Sequence, residues 1–90
     1  MLYDDNFDGV LSDADNIYQN KKREYGESWK DMSEEQLTRR LETEIQELRE
    51  AKGLRSKYKE CLDVINVTLM LAKRLLEINW NKQPPNRIKE

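Results

Sequence analysis

Two pairs of acidic residues share a spacing that can hold a metal ion. Glu44-x-x-Glu47 and Glu60-x-x-Asp63 each set two carboxylates three residues apart, and 12 residues separate the pairs. On a helix, that spacing puts both side chains on one face. The chain has no histidine and a single cysteine, Cys61. Imidazole acid–base chemistry, histidine metal sites and Ser-His or Cys-His nucleophiles are therefore excluded. Four carboxylates with neither imidazole nor a usable thiolate make an all-oxygen donor set, suited to Mg²⁺ or Mn²⁺. A di-iron bundle of the ferritin kind would need Glu-x-x-His on two helices.

The acids also stand in unusual places. Ser33 with Gln36 three residues later has the form of a capping box and opens a helix whose apolar stripe is Leu37, Leu41, Ile45, Leu48 and Ala51. At 3.6 residues per turn Glu44 falls inside that stripe and Glu47 at its edge, whereas Glu42 and Glu50 face outward. A further helix spans about Arg55 to Trp80. From Cys61 to Ala72 its only polar side chains are Asp63, Asn66 and Thr68, the pattern of a helix at the centre of a bundle. Glu60 lies between Val67 and Leu71 on its surface, and Asp63 between Met70 and Val67. An uncompensated carboxylate there is costly or takes up a proton. The plain alternative is salt bridges to Arg40, Arg49, Lys57 or Lys59. One Glu-x-x-Glu on a charged helix is ordinary surface decoration, but two such pairs, each on an apolar face, argue for a cation. Removing Glu47 or Asp63 is then expected to abolish chemistry while relieving repulsion.

An antiparallel pair of helices would bring the two acid pairs face to face, so the elements around them matter. Ninety residues make one small domain. Residues 1–11 are rich in Asp, Asn and Gly and read as an irregular lead-in. A helix begins near Ser12, with Ala14, Ile17, Tyr18, Lys21 and Tyr25 on one side, and Gly26 ends it. Glu27–Met32 is a connector, Gly53 closes the second helix, and Pro84 and Pro85 stop the third, leaving residues 81–90 as a polar tail. The prediction is an all-α fold, with residues 12–80 forming a bundle of three principal helices. With 37% hydrophobic and 38% charged residues the core is thin, which predicts completion by self-association. A net charge of −2 argues against general nucleic-acid binding. With no apolar run near 18 residues and no secretory signal, no membrane span is expected. The lone cysteine fits a cytoplasmic setting.

Several side chains gather around the acids. Lys21 lies on the apolar side of the first helix, where it either contacts a phosphate group or snorkels to the surface. Asp63, Asn66, Met70 and Lys73 form one stripe, so Asn66 and Lys73 are candidates to face a ligand. The bland role for Asn66 is a buried link between helices. Trp29 and Trp80 suit packing at a helix junction and at a subunit interface better than base stacking. Near the N-terminus, Asp4-x-Asn6-x-Asp8-Gly9 with Asp15 copies much of a calcium-binding loop. Its last position is Asp in place of Glu and too few residues precede it for a helix, so a polar lead-in with Ser12 or Asp13 as helix cap is the stronger reading.

The paired motif resembles that of MazG-like nucleoside triphosphate pyrophosphohydrolases. Glu24-Tyr25-Gly26-Glu27-Ser28-Trp29-Lys30 is similar to the Tyr-Gly-x-Ser-Trp element of some small MazG-like proteins, and Leu62-Asp63-Val64-Ile65-Asn66 to their Leu-Asp-Val-x-Asn run. The resemblance covers roughly residues 17–77. It implies an all-α fold assembled as a homodimer or homotetramer, and Mg²⁺-dependent cleavage of a nucleoside triphosphate between its α- and β-phosphates. It also implies that Glu44, Glu47, Glu60 and Asp63 bind the metal and carry the catalysis. Lys21, Asn66 and Lys73 are the substrate-binding candidates. Thr43 stands where the family often has another Glu. A nucleotide-binding module without catalysis and a plain helical oligomerisation domain are the competing functions.

Overall fold

The computed structural model describes residues 7–82, which form three helices. These are α1 (Asp8–Tyr25), α2 (Glu34–Glu50) and α3 (Leu54–Lys82), with one turn of 3₁₀ helix at Ser28–Asp31 between α1 and α2. No strand occurs among the described residues.

Local chemistry accounts for most of the boundaries. Ser33 Oγ accepts from the Gln36 N–H at 3.1 Å, while the Gln36 side chain accepts from the Ser33 N–H at 2.8 Å, so two otherwise orphaned donors are satisfied at the head of α2. Gly26 follows α1 with φ +73°, and its N–H reaches the Lys22 carbonyl at 2.8 Å. Only glycine adopts that backbone readily, and it turns the chain into the connector.

Two boundaries differ from expectation. The first helix starts at Asp8, four residues before Ser12, because the Phe7 carbonyl accepts from the Leu11 N–H at 2.9 Å and Asp8 stands where the helix dipole favours an acid. Neither Ser12 nor Asp13 caps it; Asp13 instead accepts from the Tyr58 hydroxyl at 2.6 Å, tying α1 to α3. A calcium loop of the usual form does not match this helix. It needs a sharp turn at its glycine, whereas Gly9 lies within a regular helix and Asp15 accepts from Gln19 one turn on. Asp4 and Asn6 lie outside the described residues. Gly53 does not close α2, which ends at Glu50 with Ala51 extended. With φ +88°, Gly53 heads α3, its carbonyl accepting from the Lys57 N–H at 3.0 Å.

The three-residue link between α2 and α3 makes them antiparallel neighbours. The helix α3 lies between the other two, packing along α2 and more lightly on α1. Leu37 is fully buried and meets Trp29, Val67 and Met70, with Tyr18, Met32, Leu41 and Leu71 packed around them. Ala14, 2% exposed, lets α1 approach α3 closely enough for the Asn66 amide to donate to the Ala14 carbonyl at 2.9 Å. Two helices cover only part of α3, so its apolar circumference is not wholly enclosed: Leu69 is 59% exposed and Leu76 44%.

Candidate metal centre

The antiparallel α2–α3 pair brings three of the four predicted acids together. Glu44 and Glu47 on α2 and Glu60 on α3 each offer a carboxylate oxygen, all within 4.8 Å of one another. Ligand oxygens around one octahedral Mg²⁺ lie about 3–4 Å apart, given metal–oxygen distances of about 2.1 Å. Small side-chain rotations would close the trio to that span. Glu44 is half-buried and Glu47 exposed, while the Glu60 side chain is 12% exposed. Glu60 Oε2 is buried and has no hydrogen-bond partner among the described residues, a costly state for a carboxylate oxygen. Burial raises the pKa of Glu44 above the ordinary carboxylate value. The charges of Glu47, Asp63 and Glu60 add to that rise, against the lowering by Lys21. The donor set therefore fits a hard divalent cation, and its own neighbours leave it short of positive charge.

Asp63 stands apart from the trio. It is 4% exposed, and both its oxygens are taken by ammonium groups. Oδ1 accepts from Lys21 of α1 at 3.2 Å, and Oδ2 from Lys59, one turn back on α3, at 3.0 Å. Lys59 also reaches Glu60 Oε1 at 3.3 Å. The hydrogen bond to Asp63, chiefly, raises the Lys59 pKa, outweighing its partial burial. Of the four cations proposed as plain salt-bridge partners, Lys59 takes that role, with Glu60 and Asp63. The place of Lys21 on an apolar face is explained by its ion pair across to α3.

A cleft of about 140 Å³ adjoins the centre. Its walls include Lys21, Arg40, Glu44 and Asp63, with Tyr18 and Trp29 on the aromatic side. Arg40 has no hydrogen bond or ion pair among the described residues, and sequence reasoning gave it no role beyond a salt bridge. Its position four residues before Glu44, hence on the same face of α2, was the available signal. Tyr18 is held by a relay: the Trp29 indole N–H donates to its oxygen at 3.0 Å, and its hydroxyl donates to Glu27 at 2.7 Å. Burial first, then the bond to Glu27, raises the Tyr18 pKa. The bond from Tyr18, then that from Lys30, lowers the pKa of Glu27.

The other predicted residues divide. Asn66 borders the cleft, but its amide is engaged by Ala14, the linking role between helices. Lys73 does not border this cleft; it lines a separate, mainly apolar cavity of about 230 Å³ with Leu11, Ile65, Leu69 and Met70. One helical stripe does not make Lys73 a neighbour of Asp63, because ten residues separate them along α3, about 15 Å at 1.5 Å per residue. Trp29 packs where the connector meets the helices, while the side chain of Trp80 lies outside the described residues.

Comparison with protein-family models, curated proteins and solved structures finds no match to this chain.

Proposed function

We propose that the chain is a divalent-metal-dependent pyrophosphohydrolase of the MazG-like kind, splitting a nucleoside triphosphate into a nucleoside monophosphate and pyrophosphate. The observation that carries the reading is the carboxylate trio of Glu44, Glu47 and Glu60, with the buried Glu60 Oε2 left without a partner beside a cleft containing Arg40 and Lys21. Mg²⁺ or Mn²⁺ held by those three would polarise the phosphate and lower the pKa of a bound water. Glu44 belongs both to the trio and to the cleft wall, which suits it to accept the proton of the attacking water. The guanidinium of Arg40, free of partners among the described residues, suits the charge that spreads over the phosphate oxygens in the transition state. Tyr18, half-buried in the cleft wall, offers aromatic surface for a base.

Self-association belongs to the same proposal. Leu11, Leu69 and Leu76 are exposed, and Leu11 and Leu69 border the apolar cavity on the side of α3 that α2 does not cover. Sedimentation of the wild type and of Leu69→Lys tests it, with dissociation of the variant expected.

A plain helical domain is the reading favoured by the ion pairs of Asp63 with Lys21 and Lys59, which neutralise one of the acids without any metal. Pyrophosphate release from a panel of canonical and modified nucleoside triphosphates with Mg²⁺ separates the two. Turnover abolished by Glu47→Ala is the expected result; a folded wild type that cleaves none of the panel overturns the enzyme reading. Stabilisation by nucleotide without product would instead mark a binding module.

A further inference from the structure

The two sides of the acidic centre are not equivalent, and the difference lies in Lys59. Its ammonium sits between Glu60 Oε1 and Asp63 Oδ2, at 3.3 and 3.0 Å, while Lys21 holds the other oxygen of Asp63 at 3.2 Å. Asp63 is thus satisfied on both oxygens and buried. Glu60 is satisfied on one oxygen only, and its other is buried without a partner. The two lysines pair with Glu60 and Asp63 only, and Glu44 and Glu47 have no ion pair among the described residues. A second divalent cation between Glu60 and Asp63 would have to displace the Lys59 ammonium or lie against it.

We propose that Lys59 acts as a built-in cation of this centre, filling the position between Glu60 and Asp63, so that each chain takes one divalent cation, on Glu44, Glu47 and Glu60. Asp63 is then a positioning residue that anchors Lys59 and Lys21 and makes no metal bond. The inference rests on the trio being a metal centre, and it concerns how many ions that centre takes. Lys59 lies one turn before Asp63 and beside Glu60, so α3 alone fixes the arrangement. Lys21 joins from α1, so the same contacts hold α1 against the centre.

The test counts ions without reference to activity. Chelator-stripped protein is titrated with Mn²⁺ by calorimetry, and bound Mn²⁺ is counted by electron paramagnetic resonance, for the wild type, Lys59→Gln and Lys59→Arg. One ion per chain is expected for the wild type and for Lys59→Arg, and two for Lys59→Gln, whose fold is checked by circular dichroism. Two ions in the wild type overturn the inference, as does a folded Lys59→Gln that still takes one. If Lys59→Gln does not fold, the counts for the wild type and Lys59→Arg decide alone. A wild type that binds no Mn²⁺ overturns both this inference and the metal centre. One ion without cleavage of any nucleotide supports the inference while overturning the catalytic reading.

Discussion

Substituting Glu44 by Gln should stabilise the metal-free protein and destabilise the Mg²⁺-loaded one relative to wild type, so that the order of the two melting temperatures inverts. Glu44 faces the oxygens of Glu47 and Glu60 within 4.8 Å. Two like charges at that distance repel by about 3 kcal/mol at an effective dielectric of 20 and by about 1 kcal/mol in bulk water. Glu47 is exposed, so its repulsion falls near the lower figure, and Lys59 already offsets part of the charge on Glu60. A net relief of about 1–2 kcal/mol follows, worth about 5–10 °C in a domain of this size. Mg²⁺ acts in the opposite sense. At a hundredfold excess over its dissociation constant it stabilises the wild type by about 2.7 kcal/mol, more than the relief gained by the substitution, while the variant loses a charged ligand and most of that gain. Differential scanning calorimetry in chelator and in saturating Mg²⁺, with ionic strength matched by K⁺, measures all four values. A Glu44→Gln protein that melts below wild type in chelator, or Mg²⁺ raising both proteins equally, would refute the reasoning.

The same carboxylate sets a pH dependence. Because the folded-state pKa of Glu44 is raised above 4.5, its penalty is absent below the ordinary value and grows as pH rises through the raised one. In chelator, the urea midpoint of wild type should fall relative to Glu44→Gln between pH 4.5 and 7; a constant difference counts against the assignment. Asp63→Ala should destabilise, contrary to the relief expected from the sequence, because it strands two ammonium groups. Breaking a fully buried pair costs about 3–5 kcal/mol, but Lys21 and Lys59 are 45% and 57% exposed and can turn to water, which brings the loss to about 1–2 kcal/mol. Urea unfolding measures it, and an unchanged or higher midpoint would contradict the ion pairs. Tyr18→Phe removes the acceptor of the Trp29 indole and the donor to Glu27, at a cost of about 1–3 kcal/mol. A shift in Trp29 fluorescence toward that of an altered environment should accompany the lower midpoint; a spectrum and stability equal to wild type would show the relay to be idle.

What the sequence discloses about this fold follows the range of the interactions. The capping box of Ser33 and Gln36, the turn at Gly26 and the facing of Glu44, Glu47 and Glu60 are all written in spacings of three or four residues or in a short hairpin, and the structure contains each. Lys59 and Asp63 belong to the same class, an i, i+4 pair visible in advance. The start of α1 was hidden by composition: an Asp- and Gly-containing segment resembles a loop, yet one backbone bond from Leu11 to Phe7 is enough to begin the helix there. The contact of Lys21 with Asp63 spans 42 residues and depends on how α1 lies across α3, which no local pattern encodes. The open side of α3 was illegible for a related reason: a wheel shows which faces are apolar and not which of them a neighbour covers.

That long-range contact changes how buried acids should be interpreted. Burial alone puts Asp63 first among the four, since it is the most enclosed. Its two lysines remove the reason to assign it a metal, because a carboxylate satisfied on both oxygens gains little from one. Glu60, less enclosed, retains an oxygen with neither water-facing surface nor partner, and an unpaired buried acceptor is a cost that folding does not incur without something to offset it. For the metal centre proposed above, the unsatisfied atom counts for more than the depth of the residue that bears it. Glu60 also joins α3 to Glu44 and Glu47 as one carboxylate cluster, while Asp63 holds the two lysines in place.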